Sequence, residues 1–488
     1  MSNTNPNDLL ARGLEALGLS STNSSQVNAV TYVGAGLYRT KGVMESYAMV
    51  QDVFVATAGS YNISFSYESS QIKQRINAHH QISPYWLFAR PNFDPVNFTM
   101  VLQGGSEGFA ALIGGSNNIW APDLPPLGYL DGMDLFQPAI REAEKISPFL
   151  LSKISSNQNF TLGQETISTG MTLPSVHDNV LNLSVIFDPE SHLPLIIRAL
   201  DYHPLFGPST YDLLLKNYTR VNGISYPTRF QTILNNKHLI MDYEVRQVLV
   251  NPLLNTATFE GPANRSQLQP PVSDSQYSFG EIATWSESYM WYGGWVRTAE
   301  DYTFTQPVSE LPGLWYMDPG PNPPSYNQMI LVFEDSVVVL DAAPHQGLVI
   351  IDWVQKTLGR NVTHVWPTHH HGDHAMGLID YANAGAKVIV LDKAKDYYTG
   401  IPEDSILTYT TEEPFSMGDS NMHAKFIHMD NSVHAFDHSY AVITPSCVND
   451  NSSVRFGVTW YCKRHTNPVI TQRPACSTRR FRGSGGAR

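Results

Sequence analysis

The most constraining feature of this sequence is the run from Thr368 to His374, which contains four histidines and one aspartate directly after an apolar segment. It reads Thr-His-His-His-Gly-Asp-His. Residues two apart on extended backbone face the same way, so His369 and His371 can offer imidazole nitrogens to one metal ion. His370 then points elsewhere. The spacing therefore predicts two histidine ligands for a first ion.

A glycine follows these histidines and changes the direction of the chain. Gly372 permits a sharp turn, so the adjacent Asp373 and His374 diverge from the first two ligands and can hold a second ion beside the first. Neutral imidazole and carboxylate ligands suit zinc, and they also suit iron or manganese. The sequence predicts one or two ions, with Zn2+ as the first choice.

The residues around this run predict where it lies in the fold. Two apolar strands, Asn327 to Phe333 and Ser336 to Ala343, are predicted on either side of a short turn, with Asp341 at a strand end. A helix is predicted from about His345 to Gly359, and another strand from Val362 to Trp366. Strand, helix and strand predict a parallel pair whose functional residues follow the carboxyl end of the second strand.

The pattern H-x-H-x-D-H after a strand resembles that of the metallo-β-lactamase-fold hydrolases, and this version most resembles the glyoxalase II-like thioester hydrolases. The resemblance covers roughly Pro312 to Ser446. It implies an αββα domain that binds metal ions through the pattern and one later histidine. A chance cluster of surface histidines is the alternative, and the strand context disfavours it. The ligands implied within the pattern are His369, His371, Asp373 and His374.

Two later histidines lie where the resemblance places the remaining ligand of the first ion. We expect His434 to be this ligand, and His438 is the alternative. Asp437 lies between them. The carboxylate of Asp437 is expected to orient one of the ligand imidazoles, as carboxylates do around metal sites.

The resemblance ends near Cys447. Members of the family supply a bridging aspartate and a last histidine from a further βα half, but residues after Cys447 show no strand and helix alternation and no acidic residue beyond Asp450. Asp450 is too close to the preceding strand to be assigned as the bridge, and His465 is not assigned to metal. We therefore expect the αββα domain to be incomplete at its C-terminus, which leaves the second site short of ligands.

This ligand set predicts a metal-dependent hydrolase. A metal-bound hydroxide would attack an ester, thioester or lactone, and Asp373 would orient it as the catalytic residue. The chain has no G-x-S-x-G motif and no cysteine before Cys447, so nothing indicates a covalent nucleophile. The alternative is a non-catalytic β-sheet ligand-binding protein joined to a degenerate, truncated hydrolase domain.

Alternating segments before residue 266 predict a different kind of domain. Tyr61 to Tyr67 and Val180 to Phe187 are typical of half-buried antiparallel strands. One helical stretch is expected around Met133 to Ser155, and leucines at near-helical spacing predict a helix over Asn7 to Leu17. The region is therefore predicted to be an antiparallel β-rich domain.

Three passages of this region loosely resemble the curved antiparallel sheet of lipoprotein-carrier-like domains. They are Phe187 to Leu195, Asn217 to Pro227 and Val248 to Asn251. The resemblance implies a concave sheet, for which two roles stay open. It holds an apolar ligand, or it covers the neighbouring domain, which is the favoured role.

Changes in composition divide the chain into five segments. A polar, proline-containing stretch begins near Ser266, and an aromatic stretch follows from Trp285 to Trp295. The last segment has eight basic residues and no Asp or Glu, unlike the fold before it. The fold class is predicted as α+β and multidomain. The predicted segments are 1–26 (N-terminal helix), 27–265 (antiparallel β-rich domain), 266–311 (linker), 312–450 (metallo-β-lactamase-like domain) and 451–488 (basic tail).

The net charge disfavours one class of partner. The formal net charge is -13, and removing the eight positive charges of the tail leaves -21 for residues 1–450. Such a chain repels a phosphate backbone, so we expect a small-molecule substrate and no nucleic acid. The apolar runs are far shorter than the roughly 20 residues that a membrane-spanning helix needs, so no span is expected.

Two patterns indicate different compartments. The N-terminus from Met1 to Asp8 has neither the basic nor the apolar region of a signal peptide, which favours the cytoplasm by default. Nine N-x-Ser/Thr triplets favour a secreted glycoprotein instead, although an Asn-rich and Ser-rich chain produces several by chance. Both interpretations stay open.

Overall fold

The chain divides into two compact units, Met1–Trp295 and Val296–Arg488. Both consist mainly of β strands with a few helices. Among the described helices, none is long and apolar enough to cross a membrane. The structure is a computed structural model that describes residues 6–20, 26–41, 54–81, 96–115, 128–129, 136–203, 205–265, 298–318, 320, 326–343, 346–432, 434–446, 452–458 and 470–474.

The helices of the first unit agree only partly with the sequence pattern. α1 (Pro6–Leu17) is the helix that the leucine spacing predicts. The single helix expected around Met133 to Ser155 is instead two helices, α2 (Phe136–Ile146) and α3 (Leu150–Asn157). Pro148 lies between them, and it has no backbone N–H with which to continue the hydrogen-bond ladder of a helix.

The strands of the first unit, within its described residues, follow in chain order. They are β1 (Ala29–Lys41), β2 (Phe54–Ser66), β3 (Lys73–Gln81), β4 (Val96–Gln103), β5 (Phe109–Gly115), β6 (Gly128–Tyr129), β7 (Phe160–Thr166), β8 (Thr172–Asp178), β9 (Leu183–Phe187), β10 (Pro194–His203), β11 (Gly207–Lys216), β12 (Thr219–Val221), β13 (Ile224–Tyr226), β14 (Arg229–Leu234) and β15 (His238–Val250).

One 13-stranded sheet contains all of these strands except the β12–β13 hairpin. Its order is β6-β5-β4-β3-β2-β1-β15-β14-β11-β10-β9-β8-β7. Neighbouring strands run antiparallel, for example β1 with β2 and with β15. The antiparallel β-rich region that the alternating segments predict is therefore present, and its curvature stays a prediction. Part of its core is a cluster of four buried aliphatic side chains, Ile167, Leu173, Ile186 and Ile196.

A charged pair is also buried in this sheet. Arg198 on β10 lies opposite Asp212 on β11, with Nε 2.7 Å from Oδ1, and the two side chains are 3% and 1% exposed. The same guanidinium donates to Glu165 at 2.8 Å, to Asn236 at 2.7 Å and to the carbonyl oxygen of Thr166 at 3.0 Å. These acceptors allow a cation to lie inside the sheet.

The second unit contains the remaining strands and helices of the described part of the chain. The strands are β16 (Thr303–Thr305), β17 (Leu314–Asp318), β18 (Gln328–Val332), β19 (Val337–Leu340), β20 (His364–Trp366), β21 (Lys387–Leu391), β22 (Ile406–Tyr409), β23 (Phe415–Gly418), β24 (Met422–His428), β25 (Ser439–Pro445), β26 (Ser452–Val458) and β27 (Ile470–Pro474). The helices are α4 (Gly347–Leu358), α5 (Gly372–Ala375) and α6 (Leu378–Asn383).

Two sheets form this unit. A seven-stranded sheet runs from β16 to β22 in chain order, and a five-stranded sheet runs from β23 to β27. β19, β20, β21 and β22 are parallel to one another, as the strand, helix and strand pattern predicts. The rings of Trp366 on β20 and Phe426 on β24 lie 4.8 Å apart, which joins the two sheets through buried aromatic side chains.

Three of the described strands lie in segments for which the sequence predicts no domain structure: β16 in the predicted linker, and β26 and its antiparallel partner β27 in the predicted tail. β16 falls within the predicted linker 266–311 and pairs with β17. The sequence does not predict this strand because its Thr-Phe-Thr alternation is too short to be recognised. β26 falls within the predicted tail 451–488 and pairs antiparallel with β25. The aromatic stretch from Trp285 to Trp295 lies outside the described residues. The predicted segment boundaries stay a proposal.

Candidate metal centre

The histidine run begins just after β20, and one aspartate fixes its start. The backbone N–H of Thr368 donates to Asp341 Oδ1 at 2.7 Å, and the N–H of Asp341 donates to the carbonyl oxygen of Trp366 at 2.8 Å. Asp341 has a φ of +65°, in the left-handed region that residues with a Cβ rarely adopt. Aspartate tolerates it better than most residues because its short side chain bonds nearby backbone. The run is thereby held at the carboxyl edge of the parallel strands.

Three imidazoles meet at this edge. His369 Nε2 lies 3.0 Å from His371 Nδ1 and 2.9 Å from His434 Nε2. One nitrogen of each ring lies within 4.8 Å of the other two. His434 comes from the connection between β24 and β25, 65 residues beyond His369. The structure thus brings together the three residues predicted as ligands of the first ion.

Burial keeps two of these rings uncharged. His369 and His371 are 1% and 5% exposed. The loss of hydration, with a smaller effect from neighbouring imidazoles, holds the pKa of both rings well below the ordinary value of histidine. Neutral imidazole is the form that binds a metal ion, so these two rings are in the state that binding requires.

Thr368 and Asp341 contact the Nδ1 atoms of the His369 and His374 rings and orient them. Thr368 Oγ1 lies 3.0 Å from His369 Nδ1 and 3.1 Å from His374 Nδ1. Asp341 Oδ2 lies 2.9 Å from the same nitrogen of His374. Metal-binding imidazoles commonly have the nitrogen remote from the metal held in this way. The His369 and His374 rings lie 4.2 Å apart, and the role of His374 at a second ion stays a prediction.

The structure separates the two later histidines that the sequence leaves as alternatives. His434 contributes a nitrogen to the three-histidine group, and His438 does not. The ring of His438 nevertheless lies 5.1 Å from that of His369, and its Nδ1 is 2.8 Å from Ser432 Oγ. Burial, and next the nearby His374, lower the pKa of His438. His438 is therefore a neighbour of the three-histidine group but not a member of it.

Asp437 contacts a histidine other than the one expected. The sequence predicts that it orients a ligand imidazole, but Asp437 Oδ1 accepts from His370 Nδ1 at 2.6 Å. His370 is the member of the run that faces away from the candidate ligands, and both partners are buried. The backbone bends from Thr368 to His371, and His370 is turned toward the β24–β25 connection.

Some predicted site residues lie outside the described part of the structure. The backbone of Asp373 belongs to α5, but its side chain is not described. Asp450 and His465 fall outside the described residues altogether. The predictions for these three residues therefore rest on the sequence.

The donors present fit a divalent metal ion. The fit rests on the chemistry and spacing of the donors, because one imidazole nitrogen from each of His369, His371 and His434 lies within 4.8 Å of the other two. Nitrogen ligands of a tetrahedral zinc ion at about 2.0–2.1 Å would lie about 3.4 Å apart, and the nitrogens joined to His369 are a few tenths of an ångström closer than that. Small rotations of the rings would bring them to binding distance.

The model of the Metallo-beta-lactamase superfamily matches residues 322–416 of this chain. The match lies wholly within the second unit. The matched residues include the run from Thr368 to His374 and end before His434. The resemblance inferred from the H-x-H-x-D-H pattern is therefore confirmed, for a segment that is less than half of the chain.

Several solved structures that are similar to this chain are metallo-beta-lactamases. The enzyme from Pontibacter korlensis is 16% identical with a TM-score of 0.24, over 30% of this chain and 66% of that one. The metallo-beta-lactamase IND-7 is 22% identical with a TM-score of 0.25, over 29% of this chain and 66% of that one. The enzyme from Hirschia baltica is 17% identical with a TM-score of 0.24, over 29% and 65%. The chain spans less than two thirds of each, and no curated protein matches it.

Two residues that support Asp341 were not predicted from the sequence, Gln328 and Gln346. Gln328 Nε2 donates to the carbonyl oxygen of Asp341 at 2.6 Å, and Gln346 Nε2 donates to Gln328 Oε1 at 2.6 Å. Both glutamines are buried. A glutamine inside an apolar strand such as Gln328 is a signal that a buried backbone group needs a donor.

Proposed function

We propose that the second unit is a metal-dependent hydrolase that acts on a small molecule. The observation that supports this most strongly is the group of three imidazoles, His369, His371 and His434, with nitrogens within 4.8 Å of one another. The superfamily match at residues 322–416 supports the same class of activity. An αββα arrangement of the two sheets and their helices, and zinc as the ion, belong to the same proposal.

The proposal gives each site residue a role. His369, His371 and His434 bind the first ion, and Asp373 and His374 bind a second. A bound ion of this kind polarises a substrate oxygen and makes water a nucleophile near neutral pH. Asp373 accepts a hydrogen bond from the attacking water and aims it at the substrate. Thr368 and Asp341 keep the His369 and His374 rings in orientation through the contacts at their Nδ1 atoms.

We propose an ester, thioester or lactone as the substrate class. The charge of -21 on residues 1–450 opposes polyanionic substrates such as nucleic acids, as long-range repulsion slows their approach. An uncharged or weakly charged carbonyl compound meets no such barrier. Hydrolysis of generic thioesters that depends little on salt is the expected result, and activity on phosphodiesters alone contradicts this choice.

Metal content tests the proposal directly. The full chain is purified without chelator, and its metal content per chain is measured by elemental mass spectrometry beside the His369→Ala/His371→Ala double variant. One or two ions are expected in the wild type and none in the variant. An equal metal content in both proteins, or no metal uptake by the wild type after incubation with zinc, contradicts the proposal.

A further inference from the structure

One buried polar contact near the three-histidine group has no role in the proposed reaction. His370 Nδ1 and Asp437 Oδ1 are 2.6 Å apart, and both side chains are 3% exposed. Neither residue belongs to the group whose nitrogens converge. The rings of Tyr397 and Phe436 lie 5.1 Å and 5.5 Å from that of His370, so the contact is enclosed by aromatic side chains.

The contact joins the two segments that supply the three imidazoles. His370 lies between His369 and His371 in the chain, and Asp437 is three residues beyond His434. The first segment follows a strand of the seven-stranded sheet, and the second connects two strands of the five-stranded sheet. A hydrogen bond at this point therefore fixes the distance between ligands that come from different sheets.

The second segment is also held from its other side. The backbone N–H of Ser439 donates to the carbonyl oxygen of Thr368 at 2.8 Å. His428 Nε2 lies 2.8 Å from the carbonyl oxygen of Phe436. With Asp437 bonded to His370, the residues just beyond His434 are attached to both sheets at successive positions.

Stability alone does not explain the contact. Burying a carboxylate is costly, and a buried ion pair is often no more stabilising than apolar side chains of the same volume. A short hydrogen bond to a carboxylate does, however, fix a geometry more strictly than apolar packing can. Because the pair lies between the two histidine-bearing segments, this fixed geometry also fixes the spacing of those segments.

We propose that His370 and Asp437 form a clamp that holds the two histidine-bearing segments at metal-binding distance before the metal arrives. This inference rests on the proposed function. Asp437 is a positioning residue, because its hydrogen bond is to His370 and it acts on the candidate ligands only through that residue. The clamp lowers the conformational entropy that is lost when the metal binds, because the rings are already close together.

The zinc affinity of the full-length metal-free protein tests the clamp. Affinity is measured by competition with a chromophoric chelator for the wild type, Asp437→Ala and Asp437→Asn. Asp437→Ala is expected to bind zinc about 10-fold to 100-fold more weakly, which is the usual effect of losing such a partner. Asp437→Asn keeps an oxygen acceptor for His370 Nδ1, and its affinity is expected to stay within a few-fold of the wild type.

Two further variants separate positioning from general destabilisation. Tyr409→Phe removes the buried hydrogen bonds to Trp366 and Ser439, and it is expected to lower the melting temperature without changing zinc affinity. His370→Leu/Asp437→Leu removes both members of the clamp and leaves no buried charge. This double variant is expected to fold and still to bind zinc at least 10-fold more weakly.

The outcomes distinguish the clamp from the proposed function. Zinc affinity of Asp437→Ala and of the double leucine variant within two-fold of the wild type overturns the clamp and leaves the proposed function standing. Asp437→Asn as weak as Asp437→Ala also overturns it, because the hydrogen bond is then not what matters. A wild type that takes up no metal overturns the proposed function itself.

Discussion

Buried histidines have two different kinds of role in this chain. In the first unit, His203 is 1% exposed, and its Nδ1 accepts from the backbone N–H groups of Leu205 and Phe206 at 3.1 Å and 3.3 Å. It holds a turn. In the second unit, His369 and His371 are buried with nitrogens 3.0 Å apart, in a group that could hold a metal ion. Burial makes all three rings neutral, but only the latter two can use that neutrality to bind a metal.

The turn at His203 is expected to make the first unit sensitive to acid. Burial lowers the pKa of His203 to about 3, whereas an unfolded histidine titrates near 6.5. Its contribution to stability is therefore present above pH 6.5 and is lost as the pH falls from 6.5 toward 3. Between pH 7 and pH 5 the free energy of unfolding should fall by about 2 kcal/mol from this residue.

Urea unfolding at pH 7 and pH 5 measures this effect. His203→Asn is the matched variant, because the amide oxygen can accept the same backbone hydrogen bonds and does not titrate. The variant should lose less stability on acidification than the wild type. An equal loss in both proteins shows that other groups cause the acid sensitivity.

Among single residues, the sequence predicts ligand candidates better than it predicts their supports. Extended backbone is the basis on which the sequence predicts His369 and His371 as paired ligands, but the structure bends at both residues and still brings their nitrogens to 3.0 Å. The pairing of His370 with Asp437 depends on how two sheets pack, which spacing along the chain does not specify. The left-handed backbone of Asp341 is likewise set by its contacts with Thr368 and Trp366.

The segment that follows the histidine run approaches the residues just after β19 closely at one glycine, Gly377. The backbone N–H of Gly377 donates to the carbonyl oxygen of Ala342 at 2.8 Å. A Cβ at this position would lie 2.6 Å from the carbonyl oxygen of Ala343 and 3.0 Å from that of Ala342. These are backbone atoms that cannot rotate away, so the glycine sets how closely the element carrying His374 approaches the sheet.

Gly377→Ala is therefore expected to destabilise the second unit by about 1–3 kcal/mol. Gly114→Ala is the control, because a Cβ there meets only ordinary contacts at 3.8 Å or more. Thermal unfolding of the two variants checks this. A Gly377→Ala protein as stable as the wild type would show that the backbone at residue 377 can shift away from Ala342 and Ala343 without loss of stability.

The buried network around Arg198 gives a second prediction for an element. Arg198→Ala leaves the carboxylate of Asp212 buried without its cation, so the free energy of unfolding of the first unit should fall by about 3–5 kcal/mol. Arg198→Met/Asp212→Leu removes both charges and should lose less. Urea unfolding measures the free energy of unfolding of both variants. A double variant that is less stable than Arg198→Ala contradicts the prediction.

Elements with long periodic patterns were predictable from the sequence, and short or interrupted ones were not. α4 spans Gly347–Leu358, close to the predicted range from His345 to Gly359. The apolar periodicity that predicts one helix from Met133 to Ser155 continues across Pro148. Proline lacks the N–H that a continuous helix needs there, so the structure has two helices instead. β16 has only three residues, and its pairing with β17 is a tertiary effect.

The two compact units of the whole molecule are expected to respond differently to metal removal. A chelator removes a ligand that binds only folded protein, so it lowers the stability of the unit that holds the site. The three candidate ligands all belong to the unit Val296–Arg488. Calorimetry with and without chelator should therefore shift one of two unfolding transitions.

Two of the variants assign the transitions. Arg198→Ala should move the transition that the chelator leaves unchanged, and Tyr409→Phe should move the transition that the chelator shifts. A chelator that shifts both transitions equally would mean that the units do not unfold independently.

The separation of 65 residues between His369 and His434 has a consequence for synthesis. Ribosomes extend a chain at about 5–20 residues per second, so a nascent chain exposes the paired histidines for several seconds before the third is made. During that interval only two imidazoles are available, and a dissolved ion is held weakly. If the proposed site binds metal, uptake is then a late event that follows the formation of both sheets.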